Sequence, residues 1–134
     1  MIKGIDHVAI VVKDLEEGIK LFSKLLGKEP YHREVIEAQK VEVASFKLGE
    51  SDIELIMPID KESGVAKFLE KKGEGIHHIC FRTDNVGEEL KRVESLGFTL
   101  IDKEPRKGAG NSKVGFIHPK STKGTLIEFK ERNE

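Results

Sequence analysis

Residues 4–10 read GIDHVAI, and residues 75–81 read GIHHICF. Each stretch opens with a glycine, carries a histidine at its fourth position and continues with the apolar residues typical of a buried strand. A pattern that recurs after about half of the chain indicates an internal repeat. An internal repeat constrains the fold more strongly than any single predicted helix or strand does. We therefore interpret the sequence as two copies of one module.

Each copy continues in the same order after its first strand. A capping residue with a glutamate three positions on, Asp14 in the first copy and Asn85 in the second, predicts a helix start. Apolar residues at helical spacing follow, and Gly27 and Gly97 stand where a helix-ending glycine belongs. The strand candidates after each helix are 41–48 and 53–57 in the first copy, and 98–102, 114–118 and 125–130 in the second.

The sequence thus predicts an α+β domain built from two tandem βαβββ modules. Module one covers about residues 1–60, a short connecting helix covers about 63–72, and module two covers about 74–134. With 134 residues the chain has room for one ordinary domain, so we expect residues 1–134 to form a single domain.

The composition excludes several classes of protein. The 23 basic and 24 acidic residues give a formal net charge of -1, which argues against a nucleic-acid partner. The single cysteine, Cys80, excludes a disulfide scaffold and a Cys-based zinc site. The apolar stretch at 8–12 is too short to span a membrane, and strand-like sequence begins almost at Met1. We expect no membrane segment and a cytoplasmic location.

The composition is also typical of thermophilic proteins. The chain has no tryptophan, a single glutamine at position 39, few asparagines and many lysines and glutamates. This bias is expected where ion-pair networks replace thermolabile residues. It concerns stability and carries no information about function.

The repeat places one histidine and one glutamate at matching positions of each copy. His7 and His78 lie 71 positions apart, and Glu54 and Glu128 lie 74 positions apart. A three-residue insertion in the second module, at the glycine loop 108–110, reconciles the two offsets. Each module then has a histidine on its first strand and a glutamate on its last.

These ionisable residues sit in apolar surroundings. Side chains alternate faces along a strand, so His7, Glu54 and Glu128 share faces with apolar neighbours. A carboxylate buried in this way costs roughly several kcal/mol unless it is paired or bound to a metal. Two imidazoles and two carboxylates suit a divalent ion of cobalt, manganese, nickel, zinc or iron. Taken singly, such a histidine is more often a core or edge residue and such a glutamate more often faces solvent, but their recurrence favours a site.

Five motifs together give the sequence a family resemblance. They are IDHVA at 5–9, ELIMP at 54–58, GIHHI at 75–79, HPKS at 118–121 and GTLIE at 124–128. With them the chain resembles the vicinal oxygen chelate superfamily and, within it, the methylmalonyl-CoA epimerase family. The resemblance implies a curved mixed sheet around one divalent metal ion per chain. The ligands it implies are His7, Glu54, His78 and Glu128. It favours Co2+, with Mn2+, Ni2+ or Zn2+ as other choices, and it suggests a homodimer.

The reaction implied by the resemblance interconverts (2R)- and (2S)-methylmalonyl-CoA through proton transfer at C2. Glu128 is the first choice for one proton-transfer residue, and Glu42 is the candidate for the second. If the turn after 41–48 centres on Glu50 and Ser51, Val43 shares the face of Glu54 and Glu42 points away. A one-residue slip of the strand would restore Glu42 to that face.

The resemblance also suggests residues that bind the acyl-CoA substrate. Gln39 matches a glutamine of the family and is a candidate substrate contact. The phosphates of CoA need cations, and Lys107, Lys113 and Lys120 are the candidates near the rim of the site. A solvated surface position is the alternative for each of these lysines.

Two other functions remain open at this point. A glyoxalase-type isomerase acting on a glutathione adduct would share the metal site, and a metal-free small-molecule-binding module would share the fold. The double histidine and the HPK motif favour the epimerase over the first. The four filled ligand positions favour it over the second.

Overall fold

The computed structural model describes residues 1–132 of the chain. The strands are β1 (Ile2–Val11), β2 (His32–Ile36), β3 (Val41–Leu48), β4 (Ser51–Pro58), β5 (Gly75–Thr83), β6 (Arg106–Lys107), β7 (Lys113–Ile117) and β8 (Leu126–Glu131). The helices are α1 (Leu15–Leu26), α2 (Gly64–Lys72) and α3 (Val86–Ser95). A strand, a helix and three strands thus occur twice, with α2 between the copies, and the predicted βαβββ architecture is confirmed.

The helix starts form where the capping residues predict them. The side chain of Asp14 accepts a hydrogen bond from the backbone of Glu17, and Asn85 does the same for Glu88. Gly27 ends α1 with φ of 71°, a left-handed conformation that glycine adopts without a steric penalty. These local contacts explain why the boundaries of α1 and α3 could be read from short motifs.

The strands pair in one mixed sheet in the order β2-β3-β4-β1-β5-β8-β7-β6. β5 and β8 are parallel, whereas β2-β3, β3-β4, β6-β7 and β7-β8 are antiparallel. One predicted strand is wrong. Residues 98–102 contribute only an isolated bridge between Leu100 and Ile117, and the third strand of the second copy is the short β6.

The chain divides into two compact units whose boundaries fall inside β1 and β5. The first unit combines Met1–His7 with the chain from His78 onward, and the second is Val8–His77. The units therefore do not coincide with the tandem modules expected from the repeat. None of the helices found in residues 1–132 has the length and apolar character needed to cross a membrane.

In the first unit, α3 packs against β7 and β8. Val86, Leu90 and Val93 of the helix join Ile117 and Phe129 in one buried cluster. In the second unit, two clusters are buried: one centres on Leu15, Phe46 and Leu55, the other on Ala9, Val11, Val41, Val43, Ile56 and Val65. The helix-side core of the first unit leaves the other face of β5, β7 and β8 to hold polar groups.

Candidate metal centre

Three ionisable side chains of the first unit meet at one point. Nε2 of His7 lies 3.1 Å from Nε2 of His78 and 3.3 Å from Oε1 of Glu128. Nε2 of His78 lies 3.0 Å from the same carboxylate oxygen. All three residues are buried, with at most 5% of their surface exposed. Two of these side chains come from strands 71 positions apart, as the repeat predicts.

Strand register explains the burial of Glu128. It lies on β8 between β5 and β7, with Cys80 as its partner on one side and Phe116 on the other. The Phe116 ring also stands edge-on to the His78 ring, with centroids 5.6 Å apart. The carboxylate therefore has an apolar wall beside it and the two imidazoles as its polar neighbours.

The His7 ring is held by the carboxylate of Asp6, a residue that was not predicted as part of the site. Its Nδ1 donates to Oδ1 of Asp6 over 2.9 Å. Since the ionised carboxylate can only accept, Nδ1 carries a proton, and in the neutral tautomer this leaves the Nε2 lone pair facing His78 and Glu128. Metal-binding histidines are commonly oriented by such a carboxylate.

Asp6 is itself neutralised by two cations from the end of β8. Arg132 donates to Oδ2 over 2.9 Å, and Nζ of Lys130 lies 3.8 Å from Oδ1. Burial acts to raise the pKa of Asp6, but the His7 hydrogen bond and these cations outweigh it and hold the pKa well below its usual range. Asp6 is therefore ionised at neutral pH although it is 1% exposed.

Glu128 is also ionised at neutral pH. Burial acts to raise its pKa, but the His78 and His7 imidazoles that face the carboxylate outweigh this effect and lower the pKa. Its Oε1 nevertheless has no partner of good hydrogen-bond geometry among residues 1–132. A buried carboxylate oxygen without such a partner, facing two imidazole nitrogens, fits a divalent cation better than it fits a network of hydrogen bonds.

Cys80 lies next to this cluster and is fully buried. Burial, followed by the negative charge of Glu128, raises the pKa of its thiol well above the usual range. The thiol therefore stays protonated at neutral pH and acts as a small apolar side chain.

The second unit contains the other candidate ligand, Glu54. It lies buried on β4 opposite Ser45 of β3, and Val43 pairs with Ile56 two positions along. Glu54 and Val43 therefore share a face of the β3-β4 hairpin, as predicted.

Glu42 lies on the opposite face of this hairpin. Its Oε2 accepts a hydrogen bond from Nε of Arg33 over 2.9 Å, and Arg33 also pairs with Glu16 of α1. The alternative register that would bring Glu42 to the face of Glu54 does not occur.

The four candidate substrate contacts are all surface residues. Gln39 is half-buried in the turn between β2 and β3. Lys107 and Lys113 are exposed and stand opposite each other in the register of β6 and β7. Lys120 is exposed in the 3-10 turn 119–121, where its backbone N–H donates to Nδ1 of His118.

His77 and His32 have other neighbours. His77 packs edge-on against Phe68 at 4.8 Å, on the opposite parity from His78. His32 is exposed and bonds to Glu34 over 2.9 Å. The sequence analysis missed Asp6, Lys130 and Arg132. The one available indication was an aspartate directly before a candidate ligand, in a strand too apolar to hold an unpaired charge.

Comparison with known proteins agrees with this geometry. The sequence profile of the Glyoxalase/Bleomycin resistance protein/Dioxygenase superfamily matches residues 6–116. The uncharacterised Bacillus subtilis protein YqjC is 40% identical, with 95% of this chain and 91% of that protein aligned. The Cereibacter sphaeroides ethylmalonyl-CoA/methylmalonyl-CoA epimerase is 35% identical, over 98% and 99% of the two chains. A Streptomyces coelicolor methylmalonyl-CoA epimerase variant, solved with 2-nitronate-propionyl-CoA, superposes with a TM-score of 0.94 at 34% identity, covering 98% of this chain and 96% of that chain.

Proposed function

Because the chain belongs to the Glyoxalase/Bleomycin resistance protein/Dioxygenase superfamily, we propose that it interconverts (2R)- and (2S)-methylmalonyl-CoA. The observation that carries the proposal is the buried cluster of His7, His78 and Glu128, which presents two nitrogens and one oxygen to one point. The epimerases among its relatives supply the substrate class. The reaction removes the proton from C2 and returns one on the other face.

We propose that His7, His78 and Glu128 hold a divalent metal ion and that Glu54 completes the set. Support for the fourth ligand comes from its recurrence in the sequence repeat and from the burial of its carboxylate. Such an ion would supply Lewis-acid chemistry, stabilising the negative charge that develops on the substrate when C2 loses its proton. Mixed imidazole and carboxylate ligands are compatible with our first choice, Co2+, and with Mn2+, Ni2+ or Zn2+.

Glu128 is the residue that we propose for proton transfer on one of the two faces of C2. Its lowered pKa keeps the carboxylate ionised at neutral pH, which is the form that can accept a proton. Phe116 and the buried thiol of Cys80 flank it on the neighbouring strands and exclude water from that side. Glu42 has no part in this proposal, because it faces away from Glu54 and binds Arg33.

The rest of the acyl-CoA substrate needs contacts outside the cluster. We propose that Gln39 contacts the substrate and that Lys107, Lys113 and Lys120 bind phosphate. The support for the lysines is that the structure leaves all three exposed. Lysine binds phosphate as a point charge and tolerates many geometries, which suits a flexible ligand.

We further propose a cytoplasmic homodimer from a thermophilic source. Leu21 and Leu25 lie one turn apart on α1 and are 62% and 72% exposed, which gives the helix an apolar stripe suited to a second copy. Light scattering behind size-exclusion chromatography measures the assembly, and a monomer at micromolar concentration would contradict it. The high content of lysine and glutamate supports the thermophilic origin.

Proton exchange at C2 tests the function directly. Metal-loaded protein is incubated with (2R)- or (2S)-methylmalonyl-CoA in deuterium oxide, and deuterium uptake and configuration at C2 are followed. We expect uptake with loss of configuration, and no uptake after metal removal with EDTA. The Glu94→Gln variant, which changes an exposed carboxylate of α3, serves as the control and retains activity.

One result would contradict the proposed epimerase activity. If neither epimer exchanges with cobalt, manganese, nickel or zinc, the activity is not the one proposed. Glutathione adducts of a glyoxalase-type isomerase would then be the substrates to examine, since the superfamily profile fits that chemistry equally well.

A further inference from the structure

A basic cleft lies in the first unit between the start of α3 and strands β6 and β7. Its volume is about 570 Å³. Its lining residues include four lysines and one glutamate, Lys91, Lys103, Lys107, Lys113 and Glu104, together with Arg106, whose side chain lies on the Phe116 side of the sheet. Sites for small ligands range from roughly 300 to 1,000 Å³, so this cleft has room for a nucleotide-sized molecule.

Among residues 1–132, the four lysines have no ion-pair partner, whereas Arg106 has one. Arg106 pairs with Asp102 over 3.3 Å and lies over the Phe116 ring. Lys107 and Lys113 are moreover direct cross-strand partners, an arrangement in which like charges repel. An unbalanced group of this kind in a concave site attracts an anion with several charges.

The wall of the cleft is a packed segment held by specific contacts. A Cβ at Gly108 would lie 2.6 Å from the Val114 side chain and 2.8 Å from Oγ of Ser112, so a larger residue here would displace these side chains. Ser112 is buried, and its hydroxyl donates to the carbonyl of Ala109 over 2.6 Å. These contacts fix the segment that carries Lys107 and Lys113.

The cleft faces away from the candidate metal centre. Lys113 stands opposite Glu131 in the register of β7 and β8. The Glu131 carboxylate accepts a hydrogen bond from the first backbone N–H of α3 over 2.8 Å, so both side chains lie on the α3 side of the sheet. Phe116 pairs with Glu128 and has the opposite parity from Lys113. The two sites therefore lie on different faces of β7 and β8. Lysines near the edge strand β6 are not the phosphate contacts of a ligand confined to the metal side.

We propose that this cleft binds the phosphate groups of a nucleotide. The anion has two possible sources: the phosphorylated adenosine end of the CoA thioester, reaching over the edge strand β6, or a separate nucleotide. The shared chemistry is a group of phosphates held by four lysines beside the start of α3. Assignment to CoA rests on the proposed function, whereas the binding of phosphate itself does not.

Calorimetric titration of the whole protein with adenosine 3′,5′-bisphosphate tests the cleft. The variant is Lys107→Gln/Lys113→Gln, and the control is Lys20→Gln/Lys24→Gln, which removes two exposed charges from α1. Two lost charge-assisted contacts weaken binding by at least about tenfold in the cleft variant, and the control binds as the wild type does. Equal affinities in all three proteins, or no binding by the wild type, would overturn the proposal.

Kinetics separate the two sources. If CoA fills the cleft, the cleft variant raises KM for methylmalonyl-CoA and leaves KM for methylmalonyl-pantetheine, which lacks the nucleotide, unchanged. If a separate nucleotide fills it, neither KM changes while bisphosphate binding still falls. Both outcomes support the cleft. If the wild type binds the bisphosphate but shows no epimerase activity, only the proposed function is contradicted. If it shows epimerase activity but does not bind the bisphosphate, only the proposal that the cleft binds phosphate is contradicted.

Discussion

Asp6 connects the end of the chain to the candidate metal centre. Its carboxylate receives Nδ1 of His7 on one side and the cations Lys130 and Arg132 on the other. The cations offset the cost of burying the carboxylate, and the carboxylate in turn decides which nitrogen of His7 is free to bind. Asp6 is thus a positioning residue for a ligand that it precedes by one position.

The Asp6→Asn variant is expected to bind metal about 10- to 100-fold more weakly, because the amide holds His7 less firmly and makes its ring less basic. Titration of the metal-free protein with Co2+, followed by visible absorption, measures the affinity. Asp60→Asn is the matched control, since Asp60 is exposed and only accepts a hydrogen bond in its own turn. An Asp6→Asn affinity equal to that of the wild type would contradict the positioning role.

The Glu128→Gln and Glu42→Gln pair compares the two carboxylates that the sequence offers for proton transfer. Loss of the proton acceptor in Glu128→Gln is expected to slow exchange at C2 by about 10²- to 10⁴-fold. Glu42→Gln is expected to retain most of the rate, because Glu42 binds Arg33 and faces away from Glu54 in the β3-β4 hairpin. Deuterium uptake by each metal-loaded variant is the measurement. A comparable loss in Glu42→Gln would return that residue to the site.

At the scale of elements, glycine decides how closely α3 packs on β7. A Cβ at Gly115 would lie 2.7 Å from Cδ1 of Leu90, a side chain that is fully buried. Overpacking of this kind costs about 1–3 kcal/mol, so Gly115→Ala should lower the free energy of unfolding by that amount. Urea denaturation measures it. Gly64→Ala, where the new Cβ meets no atom within 4 Å, is the control and should not destabilise.

Local motifs predicted the helices whose ends are fixed by contacts between residues close in sequence. The Asp14 and Asn85 caps are contacts within four residues, so α1 and α3 could be read directly from the sequence. Residues 98–102 look like a strand, but pairing depends on distant partners, and only Leu100 finds one. Asp6 could not be assigned because its cations lie 124 and 126 positions away in the sequence, at Lys130 and Arg132.

The β3-β4 hairpin shows which part of a register a sequence can give. The turn lies at 49–50, with Leu48 paired to Ser51, rather than at 50–51. Moving the centre by one residue shifts every partner by two positions, which leaves the faces unchanged. For this reason the facing of Val43 and Glu54 was predicted correctly although the turn was misplaced.

At the scale of the whole molecule, metal binding and folding are linked. His7, His78 and Glu128 can be brought to one point only by the folded first unit, so an ion bound there stabilises the native state and not the unfolded chain. A free metal concentration of 100 times Kd adds about 2.7 kcal/mol to the free energy of unfolding. For a chain of this length that amounts to roughly 10 °C in Tm.

EDTA-treated protein should therefore melt roughly 10 °C lower than protein with excess Co2+, as measured by scanning calorimetry. His78→Asn removes one ligand without touching Asp6 and should abolish most of the metal-dependent shift. Its Tm without metal need only be high enough for a folded baseline, so the difference between the two conditions is interpretable even in a weakened variant. An equal shift in His78→Asn and the wild type would mean that the ion binds elsewhere, because a site that loses an imidazole cannot keep its full binding energy.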